Sequence, residues 1–197
     1  GAKTIIMDDG LQNPSLLKDL SLCVIDGTYG IGNGRVMPAG PLREEFEYSL
    51  QKSNAVVILG LDQAGIAEQI KRITPDMIII KAQIKAEPTD LDFTNQPVHA
   101  FAGIAQPEKF FITLNELGCT LAKTTEFTDH HAYTDAEVSE LIEAAQADKA
   151  LLLTTEKDYV RLDTKWQSAV KPLGIRLEWE DEAPLTALLE PIIRFAS

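Results

Sequence analysis

The chain has 197 residues, 45% hydrophobic and 24% charged, which suits a soluble globular protein of one large domain or two small ones rather than a disordered chain. Its formal net charge of −12 excludes nucleic acid as an expected partner, because phosphate backbones reward Lys and Arg with counterion release. Any phosphate ligand must instead be held by a bound cation or by placed residues such as Arg35, Arg43 and Lys157.

Apolar runs that suit buried parallel strands alternate with helical patterns, which predicts an α/β architecture. Strands are expected at Thr4 to Met7, Leu22 to Ile25, Ala55 to Leu59 and Met77 to Lys81, with a helix near Ala64 to Ile73 between the last two. Polar, Pro-bearing text from Glu87 to Pro97 reads as a crossover, and a domain boundary is expected near residue 95, giving domains 1–95 and 96–197. The second half opens with a strand at Val98 to Ala102 and a helix from Pro107, bracketed by Gly118, with Phe110, Phe111, Leu114 and Leu117 as its buried face. A strand follows at Leu121 to Phe127. The box Thr134-Asp135-Ala136-Glu137 then starts a helix whose apolar face is Val138, Leu141, Ile142 and Ala145. A strand at Ala150 to Leu153, a short helix near Asp158 to Leu162, a strand at Gly174 to Trp179 and a helix from Pro184 complete the alternation, and Pro191 is expected to kink or end that last helix.

Cys23 and Cys119 form no framework and read as reduced, buried thiols. The longest apolar runs are far too short to cross a bilayer, and no signal peptide is legible. Opening on Gly1, straight into a strand, the chain reads as a fragment of a longer protein would.

In open parallel sheets, ligands bind beyond the carboxyl ends of the strands. Four segments are expected there: Asp8-Asp9-Gly10, Asp26-Gly27, Asp129-His130-His131 and Thr154-Thr155-Glu156-Lys157-Asp158. Two carboxylates after an apolar run suit Mg²⁺, which takes one or two carboxylates plus phosphate and water; the alternative is a turn cap and a solvated aspartate. The four glycines between Gly27 and Gly34 could form an anion-binding nest beside Arg35, or simply a surface loop. Pro38-Ala39-Gly40-Pro41-Leu42-Arg43-Glu44-Glu45 is a rigid turn leading into a helix, with Glu44 a candidate metal carboxylate and Arg43 a candidate phosphate ligand. Asp129-His130-His131 offers general acid-base chemistry from at most one of the two adjacent imidazoles, or satisfied loop hydrogen bonds. A zinc site is disfavoured because His99 is distant in sequence and no thiol lies near. Lys157 is equally readable as a phosphate contact or a solvated residue, beside a helix cap at Asp158. A phosphate-cradling G-x-x-x-x-G-K-[ST] loop occurs nowhere in these residues.

In this order, the segments Asp8-Asp9-Gly10-Leu11-Gln12, Gly32-Asn33-Gly34-Arg35, Pro38 to Glu44, His99-Ala100-Phe101-Ala102-Gly103-Ile104, Phe127 to His131 and Thr155-Glu156-Lys157-Asp158 resemble the tetraacyldisaccharide 4′-kinases, the lipid A 4′-kinases of Gram-negative bacteria. The similarity runs over essentially the whole chain. It implies a P-loop-type parallel sheet followed by a smaller α/β closing domain, and transfer of the γ-phosphoryl group of ATP, with Mg²⁺, to the 4′-hydroxyl of a tetraacylated glucosamine disaccharide 1-phosphate at the cytoplasmic face of the inner membrane. Asp8 and Asp9 would be the acidic pair, with Asp9 the metal ligand and Asp8 beside the chemistry. Glu44 would join Mg²⁺, while Gln12, Arg43 and Lys157 would line the phosphate region. His130, or else His131, would pair with a catalytic aspartate that accepts the hydroxyl proton.

In that family the phosphate loop, that aspartate and a membrane helix precede the Asp-Asp-Gly segment. The expected partners are therefore the lipid A precursor disaccharide, an amino-terminal P-loop segment and, through it, a membrane surface, and the chain by itself is expected to be soluble and to lack kinase activity. Two alternatives remain: a noncatalytic module that binds lipid or a partner, and a small Mg²⁺-dependent phosphohydrolase using Asp8 as ligand or nucleophile.

Overall fold

A computed structural model describes residues 3–88, 93 and 96–196, with side chains through residue 194. Its elements in chain order are β1 (Leu22–Asp26), α1 (Phe46–Gln51), β2 (Ala55–Leu59), α2 (Ile66–Ile73), β3 (Ile78–Ala86), β4 (Pro97–Ala102), α3 (Pro107–Glu116), β5 (Thr120–Glu126), α4 (Asp135–Ala147), β6 (Leu151–Thr155), α5 (Glu156–Tyr159), α6 (Thr164–Gln167), β7 (Lys171–Leu173), β8 (Ile175–Trp179) and α7 (Ala183–Ala196). This is the expected α/β class, with parallel pairing of β1 to β2 and β2 to β3, and of β4 to β5, β4 to β6 and β6 to β7.

Two compact units result, one made of residues 1–84 and 177–197, the other of 85–176. The sequence placed everything after residue 95 in one second domain; instead the chain returns to the first unit. The reason is sheet pairing: β8 lies beside β3 in the order β1-β2-β3-β8, and Trp179, Leu185 and Leu188 pack on the core of Ala55, Val57, Ile80 and Ala82. Residues 89–92, 94 and 95 of the polar crossover lie outside the described residues.

In the first unit β2 is buried on both faces, as a fully apolar central strand should be. Ile25, Val56, Ile58, Ile66 and Ile70 form one core and the β8–α7 packing the other. The expected strand at Thr4 to Met7 is absent: that segment pairs with no strand among the described residues, and Ile5 and Ile6 stand exposed. A strand needs ladder partners for its amides and carbonyls, and the edge of this sheet is β1. Pro191 does not end α7, which continues to Ala196.

The second unit has the order β5-β4-β6-β7. Its central strand β4 buries Val98, Ala100, Phe101 and Ala102 completely or nearly so, with α3 packed through Phe110, Phe111 and Leu114 on one core and α4 through Val138, Leu141 and Ala145 on another. Leu117, expected on the buried face of α3, is exposed because the helix has ended at Glu116, and Gly118 just beyond it, with a φ of +83°, is the left-handed stop that glycine permits. The capping box of Thr134 and Glu137 forms as its spacing predicts. The strand β7 and helix α6 are too short for periodicity to reveal.

Candidate functional site

In the first unit, Asp8 and Asp9 sit in a turn rather than at a strand end, Asp9 with a φ of +53°. The Asp9 carboxylate accepts a 2.6 Å hydrogen bond from Arg43 Nη1, both side chains remaining exposed. Next to it Glu44 is tightly held: Gln12 Nε2 donates at 3.1 Å, Ser49 Oγ at 2.9 Å and Lys52 Nζ at 2.5 Å. Burial pushes the Glu44 carboxyl up, but the hydrogen bonds from Lys52, Ser49 and Gln12 outweigh it and hold the group below the usual glutamate value. Asp8 is exposed and shares none of these bonds.

These residues line a groove of 1340 Å³ whose floor includes Cys23 and Ile25. Cys23 is half-buried and Cys119 buried, both free; burial, and then the charge of Glu44, push the Cys23 thiol up. No three His, Cys, Asp or Glu side chains among the described residues converge as a metal cage. The donor chemistry nevertheless fits Mg²⁺, which accepts a few carboxylate oxygens and completes its shell with water and phosphate. Asp9 and Glu44 are each neutralised here by a protein cation, Arg43 and Lys52.

The glycine loop does not form an anion nest. Gly30, Gly32 and Gly34 adopt φ values of +63°, +59° and +69°, but their amides donate to the carbonyls of Asp26, Tyr29 and Ile31, and the Arg35 amide donates to Asn33 Oδ1. The glycines serve a chain of tight turns instead.

The second unit builds a separate cluster on the ends of β4 and β6. Thr155, not Asp158, caps α5: its hydroxyl accepts from the Asp158 amide at 3.1 Å and donates to the Asp158 carboxylate at 2.7 Å. Asp158 is completely buried and also accepts from the Gly103 amide at 3.0 Å and from Arg161 Nη1 at 3.2 Å. Arg161 spans the cluster, because Nη1 also donates to the Gly103 carbonyl at 3.1 Å while Nη2 lies 3.0 Å from His130 Nδ1. His130 has a φ of +58° and donates its own amide to the same Gly103 carbonyl. Tyr133 packs its hydroxyl into this cluster; burial, and then the Asp158 charge, push its pKa far up.

The two adjacent histidines are divided as their backbone requires. His131 stacks on Phe127 at 4.7 Å and shares its Nε2 with the Glu137 carboxylate at 3.1 and 3.2 Å. His130 is 80% exposed, and its Nε2 lies 3.8 Å from Asp129. Lys157 is exposed and makes no hydrogen bond or ion pair among the described residues. His99 is buried on β4 with Asp148, apart from the other histidines.

Hence the structure brings Asp9, Gln12, Arg43 and Glu44 into one groove of the first unit and His130, His131 and Asp158 into one cluster of the second. Sequence reasoning missed Lys52, Ser49 and Arg161. The Asp158 to Arg161 spacing of three residues was the available signal, since one helical turn places such side chains together.

Glu137 gives a pH prediction. The Thr134 amide and hydroxyl, then His131, hold its carboxyl down to about 2, against an ordinary 4.5. A carboxyl depressed on folding stabilises above its unfolded value and loses that contribution as pH falls through its folded value. Stability against unfolding, followed at Trp166, should therefore fall as pH drops from 4.5 to about 2, and Glu137→Gln should flatten that slope.

Three comparisons bear on the family. The sequence profile described as "LpxK: Tetraacyldisaccharide-1-P 4′-kinase" matches residues 1–194. A tetraacyldisaccharide 4′-kinase of Paramagnetospirillum magneticum is 44% identical over 98% of this chain and 58% of its own length, and that of Bradyrhizobium diazoefficiens is 42% identical over 96% and 57%. A crystal structure of LpxK from Aquifex aeolicus, in complex with ATP, superposes with a TM-score of 0.65 at 22% identity, over 93% of this chain and 55% of that one, and so supports the fold. The chain spans a little over half the length of the curated relatives it matches. With a match over nearly every residue, the chain belongs to the tetraacyldisaccharide-1-P 4′-kinase family.

Proposed function

We propose that this chain supplies the metal-facing acidic wall and the histidine of a kinase that moves the γ-phosphoryl group of ATP to the 4′-hydroxyl of a tetraacylated glucosamine disaccharide 1-phosphate, the lipid A precursor. The observation that carries the reading is the gathering of Asp9, Gln12, Arg43 and Glu44 into one groove from segments 34 residues apart, in a chain matched by the family over residues 1–194. Asp9 and Glu44 would hold Mg²⁺, with Asp8 beside them, and bound Mg²⁺ supplies neutralisation of the transferred phosphoryl charge. Arg43, Gln12 and Lys157 would meet the phosphates of ATP. His130, free of the Glu137 contact that occupies His131, would face the reacting hydroxyl's proton acceptor. Catalysis would take place at the cytoplasmic face of the inner membrane; among the described residues no helix is long and apolar enough to cross a membrane.

Phosphoryl transfer rests on positioning and electrostatics, to which a lysine-bearing phosphate loop contributes heavily. The 197 residues alone should therefore release no ADP from ATP and Mg²⁺ with the lipid disaccharide. Co-expressed with the amino-terminal part of the Paramagnetospirillum magneticum relative, they should do so, and Asp9→Asn should lower turnover on the order of 10²-fold. Unchanged turnover in Asp9→Asn would overturn the assignment of the acidic wall.

A noncatalytic, partner- or lipid-binding reading is favoured by one observation: Ile5, Ile6, Leu16, Leu17 and Val24 line the groove and are exposed. Binding of the disaccharide or of the co-expressed segment without ADP release would decide for it.

A further inference from the structure

We propose that Arg161, anchored on the buried Asp158, is a positioning residue that fixes His130 in one orientation with its ring proton on Nε2. The inference rests on the reading that His130 serves phosphoryl transfer, and it assigns what that histidine presents.

The argument begins with donors and acceptors. A guanidinium carries five N–H donors and no acceptor. With Arg161 Nη2 at 3.0 Å from His130 Nδ1, the imidazole nitrogen must accept, so the proton of the neutral ring is on Nε2. The anchor is independent of the histidine: Arg161 Nη1 is bonded to Asp158 Oδ1 and to the Gly103 carbonyl, and Asp158 is itself bound by Thr155 and by the Gly103 amide. Asp158 is 0% exposed and Arg161 only 24% exposed, whereas His130 is 80% exposed. A rigid, buried base thus carries an arm that ends on the inner nitrogen of an outward-facing ring.

Backbone geometry completes the clamp. The His130 amide donates to the Gly103 carbonyl at 3.1 Å, the same oxygen that receives Arg161, so main chain and side chain are referenced to one atom. The nearest carboxylate to Nε2, Asp129 at 3.8 Å, is outside hydrogen-bond range. Nε2–H is left as an outward donor, suited to a carboxylate or phosphate oxygen, and His130 orients such a group rather than taking its proton.

Arginine is needed because its planar fork holds Nη1 on Asp158 and the Gly103 carbonyl while Nη2, a separate arm in the same rigid plane, reaches the ring nitrogen, whereas an ammonium is a single point on a flexible stem. Arg161→Lys keeps a cation for Asp158 and should leave the fold intact, yet lose the bond to Nδ1. The test is the ¹H–¹⁵N long-range spectrum of the His130 ring in the chain itself at mildly alkaline pH. The wild type should show one Nε2–H form with Nδ1 shifted by an accepted hydrogen bond. Arg161→Lys should show both tautomers and no such shift. A wild-type ring that already interconverts, or a spectrum unchanged in Arg161→Lys, would overturn the proposal.

The kinase reading fails separately. In the co-expressed assay Arg161→Lys should lower kcat about ten-fold with KM for ATP unchanged, the order seen when the partner that orients a functional histidine is lost, and Arg161→Lys should add nothing in a His130→Ala background. If His130→Ala leaves turnover untouched while the tautomer result holds, the reading of His130 is wrong and the clamp stands.

Discussion

Replacing Asp158 with alanine should lower the stability of the second unit by about 3 kcal/mol, the low end of the cost of breaking a buried ion pair. Asp158 is the only carboxylate among the described residues that is completely buried, and one side chain satisfies the Gly103 amide, the Thr155 hydroxyl and Arg161. Its loss leaves the buried Gly103 amide without its acceptor. The low end applies because Arg161 keeps some exposure and can turn its charge to solvent. The two tryptophans fall one to each unit, Trp179 in the first and Trp166 in the second, so a Trp179→Phe background leaves fluorescence that reports the second unit alone. Asp9→Ala is the contrast, read through Trp179 in a Trp166→Phe background because Asp9 lies in the first unit: its pair with Arg43 is exposed on both sides, and less than about 1 kcal/mol should change. A urea midpoint for Asp158→Ala no further from its parent background than that of Asp9→Ala is from its own would show that the buried network contributes nothing.

Phe101→Ala should cost about 3–5 kcal/mol, the range for emptying a buried aromatic site. Phe101 has 0% exposure on β4, flanked by β5 and β6, and its ring meets Phe127 edge-on at 6.3 Å and Tyr133 at 5.5 Å. Those two rings also pack against His131, at 4.7 and 5.1 Å, so Phe101 is the floor on which the histidine loop rests. A cavity there should loosen the loop as well as the core. Phe101→Leu, which keeps most of the volume, should cost less than about 1.5 kcal/mol. Similar unfolding midpoints for the Ala and Leu variants would count against close packing at this position. Because Phe101 and Asp158 share Tyr133 as a neighbour, the double variant should depart from additivity.

Much of the fold was legible where a segment's local pattern and its burial agree. Ala55 to Leu59 is apolar at every position and Val98 to Ala102 at every position but His99, a pattern that suits a strand covered on both faces, and both became central strands. Thr134 and Glu137 cap α4 through contacts three residues apart, the range a sequence pattern can see. Thr4 to Met7 has the same apolar signature and forms no strand, because pairing is a property of the neighbour and not of the run. The last strand and helix look like a continuation of the second half, yet β8 pairs with β3 and carries the chain back into the first unit.

The candidate site divides along the same line. Sequence by itself determined which residue types are candidates for a site: the acidic pair Asp8 and Asp9, the Arg43-Glu44 corner and the histidine pair, each set by motif and local turn. Tertiary structure alone decided their states. It tied Asp9 to Arg43 across 34 positions, gave Glu44 to Lys52, occupied His131 with Glu137 and left His130 exposed on the arm of Arg161, 31 positions away. The physical reason is that a side chain's partner, exposure and tautomer depend on which atoms lie within about 3 Å, and folding brings those atoms from segments that no local pattern connects.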